Sequence, residues 1–330
     1  MTDPPAPSSQ DLPTRLKRPS ARMTARQRVA RLWLAMLFGL ATHAPWLVRL
    51  MRRPATRLIV LFSPKVKTNT AANARRILGP HVTPQQCRVF AEKVVGSFYD
   101  FVYDVGRSVR VSRADLERRI ESIEGEHWYL DTRAKKKGLI VVTAHMGSFE
   151  AGMAALLKHE TAGRIHVVFK QDDVGGFETL RSRLRNQLGV VEASLDEGWT
   201  IWMRLRDALV ADDVVLLQGD RCMPGQKGNA MPILGGHVQL PTGPVKLAMA
   251  TGSPIIPVYS IRASSGRVRI VVDEPIEVEP HGDIEAPMRA IAASIERQVR
   301  ANPEQWLLLE KAFIEDNDPL AARGLAKQTA

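Results

Sequence analysis

The chain has 330 residues, of which 45% are hydrophobic and 25% charged, so it suits a globular protein with a sizeable core and excludes a polytopic membrane protein. Its formal net charge of +11 arises within residues 1–70, where thirteen Lys and Arg face two Asp, and the remainder balances to zero. The two cysteines, Cys87 and Cys222, have neither a CxxC partner nor histidines at zinc-ligand spacing, which argues against a disulfide framework or a structural zinc site.

The basic N-terminal region combines a polar tail with an apolar run. Residues 1–25 are predicted to be a disordered basic tail, and residues 26–57 a membrane-anchoring segment. The apolar run from Leu32 to Val48 is flanked by arginines on both sides and contains Pro45. This pattern favours an interfacial helix, or helix pair, on an anionic leaflet, and leaves open a single span or a buried core helix. The aromatic count is low and the basic tail, residues 1–25, contains no aromatic residue, which argues against single-stranded nucleic-acid binding.

The rest of the chain, residues 58–330, is predicted to form an α/β domain with a mostly parallel or mixed central sheet flanked by helices. Continuous β-branched runs alternate with helical patterns, as is typical of this class. Strands are predicted at residues 138–144, 165–170, 190–193, 214–218, 255–261 and 267–272. Helices are predicted at residues 83–107, 127–136, 177–188, 199–210, 242–251, 284–302 and 303–313. A further helix is predicted to follow the strand at residues 138–144 and to end at about residue 157.

The first candidate site is the segment from His145 to Glu150, which follows a predicted buried strand and opens a helix. Ligands of α/β proteins bind at this end of strands. A carboxylate in the first helical turn can orient one imidazole nitrogen, leaving the other to accept a proton from a hydroxyl, and nearby amides can stabilise an anion. The alternative is a surface histidine in a turn and a glutamate favoured by the helix dipole.

The second candidate site is Asp220 with Arg221, just beyond another predicted buried strand, residues 214–218, and at the same edge of the sheet as His145 if the strands are parallel. Arg221 could bind a phosphate or an oxyanion, with Asp220 fixing it, or the two could form a solvated loop ion pair. The chain has no GxSxG elbow, HExxH, Walker A or GxGxxG motif, so neither a serine hydrolase, a metal site nor a bound cofactor is predicted.

These segments, taken in order, resemble the bacterial lipid A biosynthesis (late) acyltransferase family, within the lysophospholipid acyltransferase superfamily. The resemblance covers roughly residues 60–315. The matching segments are residues 73–76 (NARR), 143–150 with the H-x4-D/E motif, 168–170, 219–221, 241–258 and 303–306 (PEQW). The chain departs from the family pattern at Lys170, where members often have Arg, and after Trp306, where the usual basic stretch is replaced by LLLEKAF.

The resemblance implies an acyltransferase catalytic domain on the cytoplasmic face of the bacterial inner membrane. His145 would be the general base and Glu150 its orienting carboxylate. Substrate or oxyanion binding would fall to Asp220, Arg221, Lys170 and Gly147, with no metal or cofactor.

The implied donor is the thioester of acyl carrier protein or CoA, and the implied acceptor is a hydroxyl of a lipid A precursor or related glycolipid. The basic apolar N-terminal segment independently indicates an anionic membrane surface as a partner, and no nucleic acid is expected. Two alternatives remain: a lipid or thioester hydrolase using the same site, and a non-catalytic membrane-binding scaffold.

Overall fold

A computed structural model of the protein describes residues 32, 36–37, 39–41, 43–108, 112–159, 164–170, 175–223 and 226–314. The predicted tail, residues 1–25, lies outside these ranges. The described helices, numbered in chain order, are α1 (Pro45–Phe62), α2 (Pro64–Ile77), α3 (Pro84–Ser108), α4 (Arg113–Arg118), α5 (Glu126–Ala134), α6 (Phe149–His159), α7 (Gly175–Leu188), α8 (Trp199–Val210), α9 (Gly243–Thr251) and α10 (Glu285–Ala301).

Seven strands form the central sheet, in the order β1-β9-β8-β2-β5-β3-β4, and two more form a separate hairpin. The strands are β1 (Ile120–Glu124), β2 (Leu139–Thr143), β3 (Ile165–Phe169), β4 (Val191–Ser194), β5 (Val214–Gln218), β6 (Gly228–Ile233), β7 (Gly236–Pro241), β8 (Ile255–Arg262) and β9 (Val268–Val272). Strands β8, β2, β5, β3 and β4 run parallel, while β9 is antiparallel to β8 and carries β1 parallel to itself. The predicted α/β class with a mostly parallel sheet is therefore confirmed.

Helices cover both faces of the sheet because alternate strand residues point to opposite sides. In β2, Ile140 and Val142 join the core beneath α8, α9 and α10. Their neighbours Leu139 and Val141 join a second core with residues of α6 and α7. This two-sided burial explains why the central strands are continuous apolar runs, and why those runs could be recognised in the sequence.

The N-terminal helices begin where the sequence carries proline. Pro45, Pro64 and Pro84 each occupy the first turn of a helix, where a missing N–H costs nothing. At α3 a capping box adds to this, since the Thr83 N–H donates to Gln86 Oε1 and the Gln86 N–H donates back to Thr83 Oγ1.

Helix α1 packs against α3. The apolar run from Leu32 to Val48 is interrupted at Ala44, which is not helical, and α1 begins at the next residue. The Tyr99 hydroxyl donates to the Val48 carbonyl at 2.8 Å, and Arg52 forms two hydrogen bonds with Asp100, at 2.7 and 2.8 Å. Within the ranges that the structure describes, no helix has both the length and the apolar character needed to cross a bilayer. Parts of the predicted anchoring segment lie outside those ranges, and the predicted domain boundaries stay predictions.

Two stretches differ from the sequence prediction. The helix predicted at residues 303–313 is wrong: a short 3-10 turn at Pro303–Gln305 gives way to extended chain, in which Trp306 pairs with Met146 and Phe313 pairs with Val238. The Leu307 N–H donates to the His145 carbonyl and the Ile314 N–H donates to the His237 carbonyl, so this backbone finds partners in other parts of the chain instead of within a helix.

The hairpin β6–β7 and strand β1 were not predicted. The hairpin turn has Leu234 and Gly235 at φ of 54° and 69°, a two-residue turn of the mirror-image kind that twisted strands favour. Leucine is an unusual residue for the first of these positions, which removed the usual sequence signal.

Candidate active site

The two predicted motifs meet at the carboxyl edge of the sheet. β2 and β5 are paired in parallel, and their last residues, Thr143 and Gln218, lie opposite each other. His145 and Asp220 each follow this pair by two residues. The Gly219 N–H donates to the Thr143 carbonyl at 2.8 Å and fixes the two strand ends together. His145 Nδ1 then lies 2.7 Å from Asp220 Oδ1. The pairing joins residues 75 positions apart, as expected for neighbouring parallel strands.

Asp220 is fully buried, and both of its carboxylate oxygens have a partner. His145 contacts Oδ1, and the Trp306 indole Nε1–H donates to Oδ2 at 2.9 Å. Burial favours the neutral acid, but the charge and hydrogen bond of His145, the charge of Arg221 and the indole outweigh it, and the pKa of Asp220 lies well below its ordinary value. Asp220 is therefore a carboxylate at neutral pH.

His145 is held as a neutral imidazole. Burial lowers the pKa of His145 below its ordinary value of 6.5, and the charges of Arg221 and Arg181 lower it further, against the opposing effect of Asp220. Because ionised Asp220 can only accept, Nδ1 must donate, which leaves the lone pair on Nε2. The side chain is 19% exposed and lines a cavity of about 1230 Å³. This is the protonation state and tautomer that a general base requires.

The turn after His145 needs glycine. Gly147 has φ of 52°, and a Cβ there would lie 2.0 Å from the Ser260 carbonyl oxygen. The Gly147 N–H donates to the Gln305 carbonyl and the Ser148 N–H donates to the Ser260 carbonyl, both at 3.2 Å. The Gly147 amide predicted to bind an oxyanion thus already has a backbone partner, and the residue's structural contribution is the tight turn.

The far side of this turn rests on another buried carboxylate. Ser148 Oγ donates to Asp104 Oδ2 at 3.1 Å. Asp104 also forms ion pairs with Arg119, at 2.6 Å, and with Arg262. The His145 turn is consequently fixed at both ends.

Glu150, predicted to orient His145, is the second residue of α6, and its side chain lies outside the described part of the structure. Its role stays a prediction. Among described side chains, Asp220 is the carboxylate hydrogen-bonded to His145, a partnership that the sequence analysis did not foresee because it assigned Asp220 to Arg221. The signal was nevertheless present: both residues follow buried strands by the same number of positions.

The cavity beside His145 has a volume of about 1230 Å³ and combines apolar walls with basic side chains. Its apolar lining includes Val168, Phe169, Trp199, Trp202, Met203, Leu217 and Leu247. Its basic lining consists of Lys170, Arg181, Arg206, Arg221, Lys227 and Lys246. None of the described lining residues is acidic. The cavity suits a long apolar chain joined to a negatively charged head.

Lys170 and Arg221 reach this cavity from the ends of β3 and β5, as their predicted binding role requires. Arg221 also donates to the Leu307 carbonyl at 3.2 Å, so the C-terminal segment helps to place it. Residues Trp306 and Leu307 were predicted to be helical, and their contribution to the site was missed. The described residues contain no group of three or more His, Cys, Asp or Glu that could hold a metal ion.

Comparison with known proteins identifies the family of the chain. The chain is 25% identical over 252 residues to a phosphatidylinositol mannoside acyltransferase of Mycobacterium tuberculosis strain H37Rv, covering 74% of this chain and 76% of that protein. It has the same identity over 256 residues with the protein of that name from strain CDC 1551, with the same coverage. The family model for bacterial lipid A biosynthesis acyltransferases matches residues 17–314. The chain is thus an acyltransferase and belongs to the bacterial lipid A biosynthesis acyltransferase family.

Proposed function

We propose that the protein transfers a fatty acyl chain from the thioester of acyl carrier protein or CoA to a hydroxyl group of a glycolipid, either a lipid A precursor or a related lipid. The observation that carries the proposal is the His145–Asp220 pair at the wall of a cavity with apolar and basic lining. The relatives named above act, by their names, on a mannoside of phosphatidylinositol, which is also a glycolipid with a phosphate.

In the proposed reaction, His145 Nε2 takes the proton of the acceptor hydroxyl as its oxygen attacks the thioester carbonyl. The charge on the tetrahedral oxyanion is stabilised by Arg221 and Lys170. The C–S bond then breaks, and the imidazolium returns the proton to the departing thiolate, so the products are an ester and a free thiol. Asp220 keeps the imidazole in one tautomer and stabilises its charged form.

A direct transfer fits the residues better than a cysteine-bound intermediate. Cys222 is next to Arg221, but burial raises the pKa of its thiol to about 11, so it is not a thiolate at neutral pH. The second cysteine, Cys87, is buried in the packing of α3 against α2. Glu150 stays a candidate for a further contact to the histidine or to the acceptor.

The membrane part of the proposal rests on α1. Trp46, Leu50 and Phe62 are exposed on this helix, which also carries four arginines, as in helices that lie in an interface. We propose that this surface holds the enzyme on the cytoplasmic face of the bacterial inner membrane, where acyl thioesters and lipid acceptors meet.

The test is to incubate the purified chain with radiolabelled acyl-carrier-protein or acyl-CoA and a crude lipid extract, and to follow the label. We expect a labelled lipid whose mass gives the acceptor and the chain length, and its loss by about 10²- to 10⁴-fold in His145→Ala. The matched control is His81→Ala, at an exposed histidine outside the cavity.

Each other result would contradict the proposal in a different way. Label released as free fatty acid would make the protein a hydrolase. An absence of turnover with every donor, while the chain still binds anionic vesicles, would favour a scaffold.

A further inference from the structure

A second cavity, of about 780 Å³, lies on the other side of α3. α3 presents Phe98, Phe101 and Val102 to the cavity beside His145, and Tyr103 and Arg107 to the second one. Among the residues that the structure describes, none lines both cavities. The second cavity is consequently separate from the proposed acyl-transfer site.

Its lining is dominated by arginine. The six arginines are Arg49, Arg52, Arg107, Arg119, Arg262 and Arg267, and the three carboxylates are Asp100, Asp104 and Asp115. Arginine keeps its charge at any physiological pH, so these described residues carry an excess of three positive charges that protonation changes cannot relieve. We call this group the arginine cavity.

The three carboxylates already have partners. Asp100 accepts two hydrogen bonds from Arg52. Asp104 pairs with Arg119 and Arg262.

The third, Asp115, caps α4 through Ser112 and pairs with Arg118, which does not line the cavity. Each carboxylate is therefore already paired with an arginine. Three of the six cavity arginines, Arg49, Arg107 and Arg267, take no part in these pairs.

The remaining arginines have no carboxylate partner among the described residues. The guanidiniums of Arg49 and Arg107 lie over the same Tyr103 ring, at 5.7 and 5.8 Å from its centre. Arg267 donates to the Ile120 carbonyl at 2.6 Å. Cations gathered around one cavity repel one another, and an anion between them would remove that repulsion.

We propose that the arginine cavity binds a phosphate group, supplied by a phospholipid head group or by a soluble phosphate. Each guanidinium group can donate two parallel hydrogen bonds to two oxygens of one phosphate group. The lipid source is favoured by α1, where Arg49 stands between the exposed apolar side chains of Trp46, 68% exposed, and Leu50, 67% exposed. This binding does not depend on the acyl-transfer proposal.

The experiment uses the full chain and the double variant Arg49→Gln/Arg107→Gln. The matched control is Arg53→Gln/Arg57→Gln, which removes the same charge from exposed positions of α1 outside the cavity. Inorganic phosphate is titrated by calorimetry, and vesicles of phosphatidylcholine with or without phosphatidylglycerol are tested by co-sedimentation. Thermal melting checks that each variant is folded.

We expect phosphate to bind the wild type and the control, and about ten-fold or more weakly to the cavity variant. If only phosphatidylglycerol vesicles show that difference, the phosphate belongs to a lipid. Competition of soluble phosphate with vesicles would show that both sources use one site. Equal losses in the two double variants, or equal binding by all three proteins, would overturn the proposal and leave only general attraction between charges.

Discussion

Two buried carboxylates, Asp220 and Asp104, hold opposite ends of the same turn and differ in their partners. Asp220 binds the imidazole of His145 and the indole of Trp306, whereas Asp104 binds two guanidiniums and the hydroxyl of Ser148. Imidazole can gain or lose a proton near neutral pH, and guanidinium and hydroxyl groups do not. The same side chain therefore supports proton transfer at one end of the turn and fixes the backbone at the other.

The partners of each carboxylate follow from its place in the fold. Asp220 lies at the carboxyl end of a central parallel strand, where open α/β sheets bind ligands. Asp104 lies in α3 and meets arginines from the side of the sheet where the strand direction reverses, Arg119 just before β1 and Arg262 at the end of β8. The same substitution at both carboxylates should thus have effects of different kinds.

Asp220→Asn should have the largest effect on catalysis. An amide is neutral and offers one donor and one acceptor group, so it cannot accept from both His145 and Trp306 while stabilising a positive imidazole. We expect kcat for acyl transfer to fall about 10²- to 10⁴-fold with the fold retained. Steady-state kinetics with labelled thioester measure the loss, and a rate within a few-fold of the wild type would remove Asp220 from the mechanism.

Asp104→Asn should mainly affect stability. Arg119 and Arg262 would be left near a neutral amide, and both keep some contact with water, so we expect the free energy of unfolding to fall by about 2–4 kcal/mol. Urea denaturation measures this change. Because Asp104 contacts guanidinium and hydroxyl groups and not His145, the pH dependence of the remaining activity should match the wild type. A displaced pH profile would show that the two carboxylates are not as distinct as their contacts indicate.

Trp306→Phe should have an intermediate effect, because it removes the indole donor to Asp220 and keeps an aromatic ring. A hydrogen bond to a charged group contributes roughly 1.5–3 kcal/mol, so we expect kcat to fall about ten-fold or more. Trp128→Phe, at a partly buried tryptophan in α5, is the matched control and should keep full activity. Equal activity of the two variants would mean that the indole only fills space.

Trp306 also shows where sequence reasoning stopped. The Pro-Glu-Gln-Trp segment was recognised by resemblance, but its apolar residues were predicted to continue a helix. The Leu307 N–H donates to the His145 carbonyl at 2.8 Å, in a contact between residues 162 positions apart. A local sequence pattern cannot reveal such a long-range contact. The buried strands were predictable because burial on both faces leaves a local mark, and so was the placing of His145 and Asp220 at one edge of the sheet.

The pairing of His145 with Asp220 was harder to predict than their position. The sequence offered two carboxylates, Glu150 nearby in the chain and Asp220 on the adjacent strand, and only the register of β2 and β5 gives the 2.7 Å contact. The fixing of the turn by Asp104 also depends on long-range contacts, since its partners come from three other parts of the chain.

Besides the loss of rate expected from its place at the oxyanion, Arg221→Gln should produce the smallest effect of this series, a shift of the acid limb of the pH profile. The catalytic form of His145 is neutral, so activity falls as pH drops through the pKa of this histidine, which burial and Arg221 lower below 6.5. Removing the Arg221 charge lets that pKa rise, and the acid limb of kcat/KM should therefore move to higher pH. Arg206→Gln removes another cation from the same cavity without that influence on His145 and should leave the limb in place. A limb that moved to lower pH, or by the same amount in both variants, would show that the charge next to Asp220 does not set the proton affinity of the base.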